Sequence, residues 1–218
     1  MKPTASPTTA SHASFYARRG KRVFDCVLAA GALAALSPVV LTVAALVRRQ
    51  HGSPILLRQK RTGLAGRPFE IIKFRSMTNE RDALGQLLPD ERRITALGRW
   101  LRKSSLDELP ELFNVLRGEM SLVGPRPLLH HYMQYYSPDQ HRRHLVRPGI
   151  TGWAAVNGRN STTWEKRFEL DLWYLDHVTF ATDLSILMRT LSTIVSRKDV
   201  NPRDQETMPE FRGTGTAQ

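Results

Sequence analysis

Two adjacent carboxylates, Asp107 and Glu108, are the residues of this chain best suited to phosphoryl chemistry. They lie in the run SSLDELPE at 104–111, which predicts the first turn of a helix over residues 105–116. Two carboxylates so placed can hold Mg²⁺, or one can attack a phosphorus atom once a metal cancels the repulsion. The same run also fits a capping box, in which Ser105 caps the helix and Glu108 reaches back. The two interpretations are compatible.

Basic residues at two other places are suited to binding phosphate. Arg126 stands between Pro125 and Pro127, whose rings fix the backbone, and its guanidinium fork matches a diphosphate. Lys73 and Arg75 share one face of a predicted strand. The alternatives are a solvated loop arginine and an edge strand protected by charge.

Glycine-rich segments form a third candidate. Residues 147–153 (RPGITGW) and 156–160 (VNGRN) combine glycine with Asn and Arg, a composition that can grip a nucleotide. Taken alone, this pattern is weak.

Short elements must position these groups. Two β-prone runs, 54–61 and 67–77, flank the turn TGLAG and predict a hairpin. Apolar periodicity predicts an amphipathic helix over 95–102 and further helices over 137–146, 164–177 and 184–195. The expected fold class is therefore α+β and mainly helical.

Composition limits the possible classes of protein. The chain has 218 residues, 41% of them hydrophobic and 24% charged, which excludes wholesale disorder. Its one cysteine, Cys26, excludes a disulfide framework. The net charge is +12, and it is unevenly distributed: residues 1–103 carry 19 Lys and Arg against 6 acids, and the remainder 13 against 14. Such a chain seeks an anionic partner, and the basic half surrounds the most apolar segment, as in a membrane-surface protein.

Residues 23–47 form that apolar segment, with Asp25 as its one charge. As a straight helix it would reach about 38 Å, enough to span a bilayer, so a transmembrane helix is the simplest alternative. A break at Ser37 and Pro38 argues against it, and so do the basic residues on both flanks, which place both ends in the cytoplasm. We therefore expect a re-entrant helix–break–helix in the inner leaflet rather than a span or a cleaved signal peptide.

The expected domains follow from this segment. We expect a disordered tail over 1–17, the membrane anchor over 18–49, a catalytic domain over 50–198, and a polar, loose tail over 199–218.

Taken together, these motifs resemble the small monotopic phosphoglycosyl transferases of the bacterial sugar-transferase family, in particular the bacillosamine-type enzymes that act on undecaprenyl phosphate. The likeness covers about residues 20–198, and Ala155 departs from it where the family usually has glutamine. The matching segments are KRVFD (21–25), SP (37–38), KFRSM (73–77), SLDEL (105–109), LFNVL (112–116), SLVGPRP (121–127), RPGITGW (147–153), VNGRN (156–160) and FELD (168–171).

The resemblance implies a mechanism. Asp107, also the expected Mg²⁺ ligand, attacks the sugar-bearing phosphate of a UDP-sugar and expels UMP, and polyprenyl phosphate then takes the phosphosugar from the carboxylate. Glu108 is expected to handle the proton of the acceptor. The expected phosphate-binding residues are Lys73, Arg102, Arg126 and Arg147.

The resemblance also implies a UDP-N-acetyl amino sugar as donor. It implies amphipathic interfacial helices around an active site on the cytoplasmic face of the bacterial inner membrane. Two other classes stay open, a basic nucleic-acid-binding protein and a non-catalytic membrane adaptor. We expect no nucleic-acid partner because no nucleic-acid-binding motif is present, and the sequence leaves the oligomeric state open.

Overall fold

Helices are the main secondary structure in the computed structural model, which describes residues 15–158, 163–196 and 210–213. Two small sheets complete this α+β, mainly helical fold, as the sequence predicts. The elements in chain order are α1 (Lys21–His51), β1 (Leu56–Thr62), β2 (Pro68–Phe74), α2 (Asp90–Arg93), α3 (Ala96–Ser104), α4 (Glu111–Arg117), β3 (Ser121–Val123), α5 (Pro138–His141), β4 (Gly149–Thr151), α6 (Trp153–Asn157), α7 (Trp164–Asp176) and α8 (Phe180–Ser196).

The apolar segment lies in α1, a single helix of 31 residues that is long and apolar enough to cross a membrane. The sequence predicts two limbs separated by a break, but the helix continues through Ser37 and Pro38. Proline lacks the N–H that would bond to the carbonyl of Ala34. The Ser37 hydroxyl donates to that carbonyl at 2.9 Å, and the freed acceptor is satisfied without ending the helix.

The N-terminal end of α1 is fixed to the globular body. The Arg22 guanidinium donates to the last carbonyls of α4, those of Val115 and Leu116. The buried carboxylate of Asp25 accepts the N–H of Leu122 in β3 at 3.1 Å. The contact with β3 thus explains why the apolar segment 23–47 contains one charged residue, Asp25.

The C-terminal end of α1 packs against the same body. Val43 and Val47 are buried in a cluster with Phe74 and Leu101, from β2 and α3. At the last residue, the two ring nitrogens of His51 lie 2.9 Å from the Arg75 carbonyl and 2.8 Å from the Thr95 hydroxyl. Both ends of α1 therefore contact one body, while most residues between 30 and 42 are exposed.

The predicted hairpin is confirmed. β1 and β2 pair antiparallel, with Leu56 opposite Phe74 and Thr62 opposite Pro68. The amide of Asn114 joins α4 to β2, since it accepts the N–H of Ile72 at 3.0 Å and donates to the carbonyl of Glu70 at 2.7 Å. Strand β2 and helix α4 are thereby held in a fixed relation, and both contribute charged residues to the site.

The second sheet, a parallel pair of β3 and β4, does not follow from the sequence analysis. It explains two of the glycines. A Cβ atom at Gly124 would lie 2.4 Å from the Arg147 carbonyl oxygen, and one at Gly149 would lie 2.1 Å from the Gly124 nitrogen. These glycines allow two backbones to approach each other closely. Residues 159–162 lie outside the described residues, so the second glycine-rich segment is described only as far as Gly158.

Other helices differ from their predicted bounds. Helix α7 agrees within one residue, and α8 begins four residues earlier than predicted, at Phe180. The predicted helix over 137–146 is the short α5 followed by a 3₁₀ turn over Arg142–Leu145. At the C-terminus, Phe211 is only 1% exposed, so the expected looseness of the tail does not extend to this residue. Of the predicted disordered tail over 1–17, residues 1–14 lie outside the described residues. The expected disorder does not extend to Tyr16, which begins a helical turn and donates its hydroxyl to Asp183 at 2.7 Å.

Candidate active site

A tight reversal places Asp107 between α3 and α4. Helix α3 ends at Ser104, the next residue, Ser105, adopts the left-handed conformation (φ 55°), and a 3₁₀ turn, Leu106–Glu108, follows. The prediction of an α-helix over 105–116 is wrong in its first half, because α4 begins only at Glu111. Pro110 explains the difference: it has no N–H for the hydrogen bond to residue 106 that an α-helix would require. Asp107 is therefore on a turn, with 9% of its surface exposed.

The predicted capping box is absent. No side-chain hydrogen bond from Ser105 caps the turn. The Glu108 carboxylate instead accepts from Lys73 Nζ at 2.6 Å and from Arg126 at 2.7 Å, both at Oε1. Strand β2 thus contributes one cation that contacts Glu108, and the Gly-Pro-Arg-Pro loop (residues 124–127) contributes the other. The structure confirms that three of the predicted residues lie together, although it does not test their roles.

Glu111, to which the sequence analysis assigns no role, completes this cluster. Its carboxylate is buried, and Oε1 lies 3.1 Å from Lys73 Nζ without the alignment of a hydrogen bond. Lys73 therefore lies between two carboxylates. The available signal in the sequence was the spacing: Glu111 follows Asp107 by four residues and Glu108 by three, which places all three close on a helical turn.

The three carboxyl groups have different proton affinities. Burial and the charge of Glu108 raise the pKa of Asp107 to about 6, although Lys73 and Arg102 oppose the shift. Burial also works to raise the pKa of Glu108, but Arg126 and Lys73 outweigh it and lower this pKa to about 2. Burial and Glu108 raise the pKa of Glu111 to about 7. At neutral pH Glu108 is the firmly ionised member of the cluster.

The two arginines beside the carboxylates are accessible to a ligand. The Arg126 side chain is 50% exposed, so its ion pair with Glu108 is partly screened by water and leaves guanidinium surface for another anion. Arg102 is exposed at the end of α3, and its Nε donates to the Ser76 hydroxyl at 2.9 Å. The positive charge of Arg102 acts on Asp107.

Arg147 is placed differently from the other predicted phosphate-binding residues. Its Nε donates to the carbonyl of Gly118 at 2.9 Å, just beyond the end of α4, close to the carbonyls of Val115 and Leu116 that Arg22 holds. The largest causes of the pKa shifts of Asp107, Glu108 and Glu111 are burial and the charges of other residues, Lys73 and Arg126 among them. In this structure Arg147 serves as a C-terminal cap of α4.

The donor set fits a magnesium ion only together with substrate. Within the described ranges there is no group of three or more Asp, Glu, His or Cys side chains that could hold a metal. Glu108 is engaged by two cations, which leaves the carboxylate of Asp107 as the group able to act as a ligand. Mg²⁺ is commonly held by one or two carboxylates and substrate phosphates, so one free carboxylate beside exposed arginines is consistent with such a site.

Comparisons with known proteins give matches over most of the chain. Residues 16–197 match the family model described as bacterial sugar transferase. The chain is 50% identical over 195 residues to EpsL of Bacillus subtilis, named an uncharacterized sugar transferase, and the match covers 89% of this chain and 96% of that protein. It is 42% identical to a UDP-glucose:undecaprenyl-phosphate glucose-1-phosphate transferase of Xanthomonas campestris, over 82% of this chain and 39% of the relative. It is 38% identical to an undecaprenyl-phosphate galactose phosphotransferase of Salmonella typhimurium, over 81% of this chain and 40% of the relative.

The chain thus spans nearly the whole of the first relative and about two fifths of the other two. A family match of this extent, with a cluster of carboxylates and cations where the resemblance expects the chemistry, establishes the assignment: the chain belongs to the bacterial sugar transferase family.

Proposed function

We propose that this protein transfers a sugar 1-phosphate from a UDP-sugar to undecaprenyl phosphate and releases UMP. The observation that carries the proposal is the contrast between two neighbouring carboxylates. Glu108 is neutralised by Lys73 and Arg126, whereas Asp107 is buried, without an ion-pair partner in the described chain, and raised in pKa to about 6. The printed names of the Xanthomonas and Salmonella relatives support this class of reaction.

In the first step, an Asp107 oxygen attacks the phosphorus that bears the sugar. A carboxylate–phosphorus bond forms, the diphosphate P–O bond breaks, and UMP leaves with the electron pair. Asp107 is suited to this step because it is largely ionised at neutral pH and only sparsely solvated. Negative charge increases on the phosphate of UMP as it leaves, and the positive charges of Arg126 and Arg102 stabilise it.

In the second step, an oxygen of the acceptor phosphate attacks the same phosphorus and releases Asp107. The product is a polyprenyl diphosphate sugar. The step exchanges one activated phosphate bond for another, so positioning and charge neutralisation can supply the catalysis.

The role of Glu108 needs revision in view of its contacts. A carboxylate with a pKa of about 2 is a poor acceptor for the proton of the lipid phosphate while both ion pairs are intact. Its contacts support a different proposal, in which Glu108 holds Lys73 and Arg126 at the distance that the diphosphate requires.

We include Mg²⁺ in the proposal, with Asp107 as its protein ligand. When bound, the ion supplies charge neutralisation at the diphosphate. Removing divalent ions with EDTA should then abolish UMP release, and adding Mg²⁺ back should restore it.

For the membrane topology we propose that α1 enters and leaves on one face of the bilayer, the cytoplasmic face of the inner membrane. The contacts of both its ends with one globular body support this, as do the basic flanks at 18–22 and 48–49. Helix α8 carries an exposed apolar stripe suited to the interface: Phe180, Leu184, Met188, Leu191 and Ile194.

Cysteines placed at Arg19 and Gln50, in a chain lacking Cys26, test the topology. In intact cells both positions should resist a membrane-impermeant thiol reagent, whereas both should react after permeabilisation. Labelling of either position from outside would overturn the re-entrant arrangement.

The donor sugar is tested by a panel. The resemblance favours a UDP-N-acetyl amino sugar, while the relatives named above carry glucose or galactose in their names. UMP release should be measured for UDP-sugars of both kinds, with undecaprenyl phosphate and Mg²⁺, and with Asp107→Asn as the control. Turnover with at least one donor that Asp107→Asn abolishes is expected. If no donor gives acceptor-dependent UMP, the proposed reaction is wrong and a non-catalytic membrane role becomes the better account.

A further inference from the structure

Phe211, in the last eight residues of the chain, lies in an aromatic cluster next to the loop that carries Arg126. Its side chain is 1% exposed, although its neighbours Glu210 and Arg212 are exposed. Phe211 contacts Phe168 and Trp164 of α7 with ring centroids 5.1 and 5.3 Å apart. A fully buried phenylalanine in a polar tail is an anchor, since burying a ring is the main free-energy gain that such a segment can obtain.

The same ring contacts the chain that follows the Gly-Pro-Arg-Pro loop. Phe211 lies 5.9 Å from the ring of Tyr132 and 5.6 Å from that of Tyr136. The beginning of this segment is also held by β1, since the Thr62 N–H donates to the Leu128 carbonyl at 3.1 Å. Farther along, residues 130–136 are packed against the aromatic cluster that Phe211 fills.

A second route connects the anchor to Arg126 through α7. The guanidinium carbon of Arg143 lies 5.5 Å from the centre of the Phe168 ring that Phe211 contacts. Arg143 is buried, forms a salt bridge with Asp171 at 2.7 Å, and donates to the backbone carbonyl of Arg126 at 2.8 Å. A displacement of Phe168 would therefore be transmitted to the backbone of the residue that holds Glu108.

From these two routes we infer that Phe211 is a positioning residue for Arg126: the C-terminal segment 210–213 fixes the Gly-Pro-Arg-Pro loop and so sets the affinity for the diphosphate of the donor. The inference about affinity rests on the proposed function. The inference about loop order does not, since it concerns contacts within the folded chain. A change far from the reacting atoms that displaces a binding group by about 1 Å can lower the rate on the order of 10²-fold.

The test compares variants of the full-length chain. Phe211→Ala removes the anchor, Phe211→Leu keeps apolar volume in the cluster, and Arg212→Ala changes an exposed residue of the same segment. Ile186→Ala is the control for general destabilisation, because it opens a cavity in the separate core around α4 and α8. Two measurements are made on each variant: hydrogen–deuterium exchange of peptides covering 124–136, and the KM and kcat for the donor that turns over.

We expect Phe211→Ala to accelerate exchange in 124–136 and to raise the KM for the donor about tenfold or more, with a smaller change in kcat. Phe211→Leu should show slower exchange in 124–136 and a lower donor KM than Phe211→Ala. Arg212→Ala should match the wild type in both measurements. Unchanged exchange in 124–136, or an equal effect of Ile186→Ala, would overturn the inference. If the wild type releases no UMP with any donor, the proposed function fails, and the exchange measurement still decides whether Phe211 orders the loop.

Discussion

Asp107→Asn should stabilise the folded protein at alkaline pH while it abolishes turnover. The folded protein binds the Asp107 proton more tightly than the unfolded chain does, since burial and Glu108 raise the pKa from 3.8 to about 6. The stability that this proton provides is complete below about pH 4 and is lost as the pH rises through 6. The amide of the Asp107→Asn variant cannot ionise, so the variant does not lose this stability as the pH rises.

The magnitude follows from the shift. The rise of about 2 in the pKa of Asp107 corresponds to about 3 kcal/mol of folding free energy, because each pKa unit corresponds to about 1.4 kcal/mol. For a chain of this length, 1 kcal/mol corresponds to roughly 2 to 4 °C in Tm, which gives a gain of about 6 to 12 °C at pH 8. At pH 4 the gain should fall to a small fraction of this value, because Asp107 is then protonated in the folded protein and close to half protonated in the unfolded chain.

The assay is thermal unfolding of detergent-solubilised protein at pH 4, 6 and 8, each with wild type and variant. Asp176→Asn is the matched control, since its carboxylate is 46% exposed and pairs with Arg142 at the surface; it should shift the Tm by less than about 2 °C at every pH. A gain that does not depend on pH would show that the amide acts through packing. A lower Tm for Asp107→Asn at pH 8 would refute the interpretation of Asp107 as a buried carboxylate whose pKa is raised by burial and by Glu108.

Four further substitutions separate the roles of the charged residues and of Pro38 within α1. Arg126→Lys keeps the charge but loses the two-pronged fork, and kcat/KM for the donor should fall about 10- to 100-fold with membrane association unchanged; near-normal kinetics would return Arg126 to a structural role. Arg147→Ala removes a cap of α4, so it should lower the Tm while leaving the donor KM as in the wild type, and a raised KM would instead support phosphate binding. Glu108→Gln should slow turnover. Because it removes the carboxylate that raises the pKa of Asp107, it should also move the acid limb of the pH–rate profile from near pH 6 to lower pH. An acid limb that stays near pH 6 would contradict this coupling between Glu108 and Asp107. Pro38→Ala restores the missing backbone N–H in α1 and should favour a spanning topology. The readout is labelling, from outside the cell, of a cysteine placed at Arg19 or Gln50. Unchanged protection of both cysteines would show that the flanking charges alone set the topology.

The parts of the site that depend on local patterns could be predicted from the sequence. The hairpin follows from two β-prone runs around a glycine turn, and its alternation places Lys73 on the face toward Glu108. Arg126 follows from the two prolines that fix its loop. In both cases the information lies within about ten residues of the side chain concerned.

The parts that depend on distant contacts could not be predicted. Helical periodicity extends through 105–116, and only the missing N–H of Pro110 and the left-handed Ser105 show that Asp107 lies on a turn. The sequence predicts Arg147 as a phosphate-binding residue, whereas its hydrogen bond to the carbonyl of Gly118 depends on where the fold places the end of α4. Phe211 is one aromatic residue in a polar tail, and its burial depends on rings contributed by α7 and residues 128–136.

The central claim is that Asp107 forms a covalent bond to the phosphosugar, and mass spectrometry of a single turnover tests it most directly. The protein is incubated with its UDP-sugar and Mg²⁺ in the absence of polyprenyl phosphate. We predict release of at most about one UMP for each active site, together with a phosphosugar adduct on the peptide that contains Asp107. Asp107→Asn should give neither, while Glu108→Gln should still give the adduct. UMP that appears only when the acceptor is present, with no adduct on that peptide, would contradict the account and favour direct displacement by the lipid phosphate.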